Sequence, residues 1–159
     1  MHYVDLSPYC YTPTNDNFGL INVGWLQSGF PFDRSVPNDV FVHNLFNFCT
    51  HRVAGRRGYH MCDLCMPSKA VSGCPVERDG IKLTLGSAEI RVHGEGGKIY
   101  AAPNLIYHYV VAHQYAPPKE FVDAVLAHPV QADQPPPAIL RKKGFKQKIL
   151  SLLKFNWSS

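Results

Sequence analysis

The feature that most constrains this chain is a pair of cysteines, Cys62 and Cys65, that stand two residues apart. One histidine, His60, precedes them, and two more, His108 and His113, follow on one predicted helix. Thiolate and imidazole are the ligands that tetrahedral Zn²⁺ prefers in proteins. The pattern therefore predicts a zinc site drawn from these five residues. A fold that forms it must bring a cysteine loop and a distant helix together.

The spacing of His108 and His113 imposes a geometric condition on such a site. Residues five apart diverge by about 140° around a regular helix. Both histidines can bind one ion only where the helix loosens near His113, and the approaching Pro117 favours an end there. Otherwise one of them binds and His60 completes the set. We therefore expect three histidines to compete for two places beside the thiols.

The cysteines and histidines also have interpretations that involve no metal. The close pair could be a redox dithiol or two ordinary buried thiols. Five cysteines are an odd number, so a complete set of intramolecular disulfides is excluded. Cys10, Cys49 and Cys74 are expected to be packing residues, although Cys74 could serve as a ligand from its loop. Each histidine could equally be a hydrogen-bonded residue of the core.

The order of the hydrophobic patterns predicts an α+β domain over residues 1–127. Residues 88–101 alternate on either side of a glycine-rich turn, as in an antiparallel hairpin. Pro103 is expected in the first turn of a helix over 104–114 that is apolar on both faces. We expect the hairpin, or a small sheet, to pack on this central buried helix, with a zinc knuckle beside it.

The rest of the domain carries weaker signals. Two further helices are predicted, one after an Asn38 cap up to about residue 49 and one over 119–127. Residues 66–87 are expected to form a long loop. The first 35 residues are expected to form loops and short strands.

Charge is distributed unevenly along the chain. Residues 138–159 carry six basic and no acidic side chains, whereas the remainder holds 10 basic and 12 acidic ones. Helical spacing of the apolar residues between these lysines predicts a basic amphipathic tail, after a proline-rich linker over 128–137. The tail could bind nucleic acid or an anionic membrane surface, with Arg52, Arg56 and Arg57 as further phosphate contacts, or could simply aid solubility.

The composition also excludes some classes of protein. No apolar run is long enough to cross a bilayer, and the N-terminus lacks the basic and apolar regions of a secretory signal. We therefore expect a soluble, cytoplasmic protein.

Several motifs resemble a family of small uncharacterised bacterial proteins. They are Asp5-Leu6-x-x-Tyr9, Asn22-Val23-Gly24-Trp25-Leu26, Gly58-x-His60-x-Cys62-x-x-Cys65, and the helix motif from Tyr100 to Phe121 that contains His108 and His113. The resemblance covers about residues 1–127 and implies that this stretch is one unit to which the five candidate ligands belong. It implies no activity. The order of knuckle, hairpin and helix also resembles treble-clef zinc modules.

These patterns leave the function open between three classes. We favour a structural zinc module that binds a protein partner. The alternatives are a nucleic-acid-binding protein and a zinc-dependent hydrolase-like enzyme with an open metal position. Glu89 is the candidate general base for the enzyme, although strand alternation favours an exposed Glu89 without a catalytic role. The His-Glu-x-x-His and zinc-deaminase motifs are absent, and the sequence does not decide whether the chain is an enzyme.

Overall fold

The computed structural model describes residues 2–11, 19–65 and 73–130. They form an α+β fold, as predicted, with a three-stranded sheet, a separate two-stranded hairpin and three α-helices. In chain order the elements are β1 (Leu20–Asn22), α1 (Asp39–Thr50), β2 (Cys74–Arg78), β3 (Ile81–Leu85), β4 (Glu89–His93), β5 (Ile99–Pro103), α2 (Ile106–His113) and α3 (Lys119–Ala127).

The predicted hairpin supplies two strands of the three-stranded sheet. β4 and β5 pair antiparallel, with Arg91 opposite Ala101, and a 3₁₀ turn over Glu95–Gly97 joins them. β1 pairs parallel to the other side of β5, so the strand order is β1-β5-β4. Ile90 and Val92 of β4 are fully buried, as the alternation of apolar residues predicts.

The prediction of a loop over residues 66–87 is wrong for its second part, where β2 and β3 form a hairpin. Asp79 and Gly80 connect the strands with φ angles of 52° and 77°. A type I′ turn requires positive φ at both positions, and Asp-Gly is a preferred pair for it. The apolar side chains of both strands are mostly only half-buried. Ile81, Leu83 and Leu85 alternate with Lys82 and Thr84, so the alternation in β3 and the Asp-Gly turn are both signals of the hairpin.

Helix α1 begins where the sequence predicts. The side-chain oxygen of Asn38 accepts hydrogen bonds from the backbone N–H groups of Val40 (2.8 Å) and Phe41 (3.3 Å). It thereby satisfies donors that have no partner within the helix. The helix packs on α2, α3 and β4. Its buried apolar residues are Phe41, Val42, Leu45, Phe46, Phe48 and Cys49.

Helix α2 is the central buried helix, but it starts later than predicted. Pro103 is the last residue of β5 rather than part of the first helical turn. The N–H of Asn104 donates to the carbonyl of Ala88 at 2.9 Å. This bond continues the pairing of the hairpin and delays the helix to Ile106. The fully or largely buried residues of α2 are Ile106, Tyr107, Tyr109 and Val110.

The last helix, α3, has the predicted bounds and buries Phe121, Ala124 and Val125. Of the linker predicted over 128–137, only the first three residues are described, and the tail predicted over 138–159 lies outside the described residues. In the described part of the chain, none of the helices combines the length and apolar character needed to cross a membrane.

Candidate metal centre

Backbone pairing with the sheet positions the loop that carries the two cysteines. The N–H of His60 donates to the carbonyl of Gly86 at 2.8 Å, and the N–H of Arg56 donates to that of Ser87 at 2.7 Å. Gly86 has a φ of +105°, and a Cβ there would lie 2.3 Å from the carbonyl oxygen of His60. Only glycine permits so close an approach of two backbones. The segment that ends in Cys65 is thereby held beside the sheet.

The two histidines lie on α2, His108 near its start and His113 at its last residue. The helix ends there because Gln114 adopts a left-handed conformation (φ 57°, ψ 26°), with its N–H bonded to the carbonyl of Tyr109. The Nε2 atoms of His108 and His113 lie 3.2 Å apart. Because the helix ends at His113, both rings can approach one point, which a regular helix would prevent at this spacing.

Four side chains form a compact cluster. One potential ligand atom from each of Cys62, Cys65, His108 and His113 lies within 4.8 Å of the other three. The Sγ of Cys65 is 3.2 Å from the Nε2 of His108 and 3.3 Å from that of His113. The Sγ of Cys62 is 3.3 Å from the Nε2 of His113.

These separations can be compared with the edges of a tetrahedron around zinc. Zn–N bonds of about 2.0–2.1 Å and Zn–S bonds of about 2.3 Å give edges of about 3.3 Å between two nitrogens and about 3.6 Å between nitrogen and sulfur. The separation of the two histidine nitrogens is 3.2 Å, and the three sulfur–nitrogen separations are 3.2–3.3 Å. The four atoms can therefore surround one ion of this size with little movement.

The environment of the cluster favours uncharged side chains. Burial raises the pKa of the Cys62 thiol to about 11. Burial, and then the proximity of His113, lowers the pKa of His108. Burial, and then the charge of Arg34, lowers the pKa of His113. At neutral pH both imidazoles can offer a lone pair to a metal ion, whereas the Cys62 thiol must first lose its proton.

The comparison with known proteins identifies a family. Residues 1–126 match the family model described as a domain of unknown function, DUF7919. The chain belongs to the DUF7919 family. This confirms the resemblance to an uncharacterised family that the motifs indicate over about the same residues. Neither the curated proteins nor the solved structures contain a significant match.

In the DUF7919 domain Cys74 contacts the candidate metal site from outside the four-residue group. Its Sγ lies 3.2 Å from the Nδ1 of His108, the ring nitrogen that is not directed at Cys65. Burial, and then the proximity of Cys65, raises the pKa of the Cys74 thiol. The sequence allows Cys74 as a ligand, but its position at the second ring nitrogen of His108 depends on the β2–β3 hairpin, which was not predicted.

The other two cysteines, Cys49 and Cys10, do not belong to the four-residue cluster. Cys49 is buried in the core, as predicted, and its Sγ lies 3.6 Å from the carbonyl oxygen of Asn104. Cys10 is exposed, contrary to the prediction that it packs. All five cysteines are free thiols.

His60, the fifth predicted ligand, lies outside the four-residue group. It lines a cavity of about 80 Å³ together with Met61 and Asp63 from the same loop and Tyr109 from α2. None of the four clustered residues lines this cavity. The loop and α2 thus contribute to two adjacent sites, the cluster and the cavity.

Glu89, the candidate general base, lines the same cavity and is only 3% exposed. The expectation that it is exposed is therefore wrong. Alternation does direct Glu89 away from Ile90 and Val92, but the N-terminal segment covers that face of β4. The carboxylate accepts hydrogen bonds from the hydroxyl of Tyr9 (2.9 Å) and the guanidinium of Arg91 (2.7 Å). A role for Glu89 as a general base stays a prediction.

The three arginines predicted to contact phosphates, Arg52, Arg56 and Arg57, are exposed. The guanidinium of Arg56 lies over the ring of Tyr11, 5.1 Å from its centroid, and Arg56 also lines the cavity. Nucleic-acid binding by this segment, like membrane or nucleic-acid binding by the tail, stays a prediction.

Proposed function

We propose that the DUF7919 domain binds one zinc ion through Cys62, Cys65, His108 and His113, and that this zinc is structural. The observation that carries the proposal is the clustering of the four ligand atoms within 4.8 Å of one another. Two thiolates and two imidazoles are a common ligand set of structural zinc. The ion would tie the loop before β2 to the end of α2.

The number of protein ligands supports a structural rather than a catalytic ion. Catalytic zinc usually keeps three protein ligands and one position open for water or substrate. Four side chains would close the coordination sphere here. In addition, Glu89 already accepts hydrogen bonds from Tyr9 and Arg91. The hydrolase-like alternative therefore has less support than the structural site.

We further propose that the loop held by zinc is a surface for a protein partner. Tyr59 and Met61, which flank His60, are 45% and 52% exposed. Aromatic residues and methionine are enriched in the cores of protein interfaces. A metal that fixes this loop would reduce the entropy lost when the loop binds a partner.

Metal analysis of the full chain, purified without added metal or chelator, tests the zinc site. We expect about one zinc per chain, bound by two sulfur and two nitrogen ligands in X-ray absorption spectra. Cys62→Ser, Cys65→Ser and His113→Ala should each lose most of the zinc. Cys10→Ser is the matched control, because that thiol is exposed and outside the cluster.

Two results would contradict the proposal. If Cys62→Ser and Cys65→Ser both keep a full complement of zinc, these thiols do not bind it. If the spectra show an oxygen ligand in place of one nitrogen, the site is open and the enzyme hypothesis gains support. His60→Ala adds a further test, because loss of zinc from this variant would place His60 among the ligands.

A further inference from the structure

Three aromatic side chains line the cavity beside the four-residue cluster. Trp25, Tyr11 and Tyr109 line it, together with the aliphatic side chain of Leu26. The indole of Trp25 is largely buried, and its Nε1 donates to the carbonyl of Ala101 at 3.0 Å, which fixes the plane of the ring. A cavity of about 80 Å³ can hold several waters or one small ring. Its walls favour a planar occupant that stacks on aromatic side chains.

The carboxylate of Glu89 is a hydrogen-bond acceptor on the cavity wall. The two oxygens of the Glu89 carboxylate share a single hydroxyl proton from Tyr9, and one of them also accepts from Arg91. A carboxylate has about four lone-pair sites, so acceptor capacity remains. Glu89 is buried at the cavity wall, where a ligand that donates a hydrogen bond would use this capacity.

A second polar group on the cavity wall is a donor. The Oδ1 of Asn104 accepts from the backbone N–H of Gly86 at 2.7 Å, which fixes the orientation of the amide. The Nδ2 of Asn104 donates to no other residue in the part of the chain that the structure describes. Asn104 is 1% exposed and lines the cavity. The amide can therefore donate a hydrogen bond to a water or a ligand in the cavity.

The charges around the cavity favour a neutral or cationic ligand. Glu89 and Asp63 line it as acids, and Arg56 and His60 line it as basic residues. The guanidinium of Arg56 is already placed over Tyr11. An anionic ring would meet two carboxylates, whereas a ring with N–H donors would find an acceptor in Glu89 and a donor in Asn104.

We propose that this cavity binds a small planar heteroaromatic molecule, of the size of one nucleobase, that carries N–H donors and a ring-nitrogen or carbonyl acceptor on one edge. The ring stacks on the aromatic walls. Its N–H group donates to the carboxylate of Glu89, and its acceptor receives the hydrogen bond from the Nδ2 of Asn104. The proposal does not depend on the identity of the metal, because the four clustered residues do not line the cavity.

Ligand-observed NMR on the full chain tests the proposal, with cytosine and adenine as probes. Both carry an amino donor beside a ring-nitrogen acceptor. Benzoate is the matched control, because it is planar and of similar size but anionic and without a donor. We expect saturable binding of at least one base and at least tenfold weaker binding of benzoate. Failure of both bases to bind, or equal binding of benzoate, would overturn the proposal.

Three variants link binding to the cavity. Glu89→Gln should weaken binding of the base at least tenfold, because the variant loses the carboxylate acceptor. Asn104→Asp keeps the acceptor for Gly86 but removes the donor, and should have a similar effect. Glu95→Gln is the control, because Glu95 is exposed and does not line the cavity.

Metal content and melting temperature are measured for each variant. If Glu89→Gln or Asn104→Asp loses its metal or its fold as well as binding, that variant does not test the contact with the base. In that case Tyr11→Leu, which removes one aromatic wall of the cavity and should weaken binding of the base, decides the matter. Unchanged binding by variants that fold and hold metal would overturn the proposal.

Discussion

The imidazole of His108 lies between Cys65 and Cys74, which are 43 and 34 residues away from it in the sequence. Its Nε2 is 3.2 Å from the Sγ of Cys65, and its Nδ1 is 3.2 Å from the Sγ of Cys74. A histidine that binds zinc through one ring nitrogen usually donates its other N–H to a neighbouring acceptor. Cys74 is placed to be that acceptor. Strand β2 would thereby fix the orientation of a metal ligand, His108, that lies on α2.

Replacing Cys74 should therefore weaken zinc binding without changing the ligand set. Loss of such an orienting contact typically lowers metal affinity by about 10–100-fold. We expect a loss of this order for Cys74→Ala and a smaller one for Cys74→Ser, whose hydroxyl can still accept. Competition with a chromophoric chelator measures the affinity. If X-ray absorption spectra of Cys74→Ala show one sulfur fewer than the wild type, Cys74 is a ligand and this interpretation is wrong.

Zinc binding should release protons and strengthen as the pH rises. The pKa of Cys62 is raised to about 11 by burial, so this thiol is protonated at pH 7 and must lose its proton to bind zinc. The lowered pKa values of His108 and His113 leave both imidazoles neutral at that pH. We expect at least one proton released per zinc at pH 7. Calorimetry in buffers of different ionisation enthalpy counts these protons, and a count of zero would contradict the assignment of Cys62.

Gly86 should be the glycine of the β3–β4 region that tolerates substitution least. An alanine there has both a positive φ and a Cβ only 2.3 Å from the carbonyl oxygen of His60. We expect Gly86→Ala to lower the free energy of unfolding by about 2–4 kcal/mol, since strain and overpacking add. Gly80→Ala is the control, because Gly80 also has a positive φ but open space around it, and about 1 kcal/mol is expected.

Urea unfolding of the two variants, both loaded with zinc, measures the difference. Equal destabilisation would mean that the contact between Gly86 and His60 does not constrain the loop. A reduced zinc content of Gly86→Ala alone would connect this contact directly to the metal centre.

The sequence predicted those parts of the fold that local signals specify. Asn38 caps α1 as expected, because capping depends on residues within one helical turn. The β4–β5 hairpin was predicted from its alternation and its glycine-rich turn. The clustering of cysteines and histidines was predicted because their chemistry as potential metal ligands restricts their partners, even for Cys65 and His108, which are 43 residues apart.

The remaining features depend on contacts between distant segments. Glu89 is buried because Tyr9, 80 residues away, covers it, and no local pattern contains that information. Cys74 contacts His108 because the β2–β3 hairpin packs beside α2, and the pattern within the hairpin does not specify that packing. His60 lies outside the cluster because its backbone pairs with Gly86, a contact that requires a positive φ at that glycine.

Removing the metal should disorder the cysteine loop while the core stays folded. The core contains residues from all three helices and from β4 and β5, and the four proposed ligands are not among its fully buried members. A domain of this size buries enough surface to fold without a metal. Binding nevertheless stabilises the folded state, by about 4 kcal/mol at a free zinc concentration 1,000 times the dissociation constant.

Hydrogen exchange with and without a chelator distinguishes local disorder of the cysteine loop from unfolding of the whole domain. The amide of His60 should lose protection, whereas those of Ile90 and Val92 should keep most of theirs. Uniform loss along the chain would mean that the whole domain requires the metal to fold.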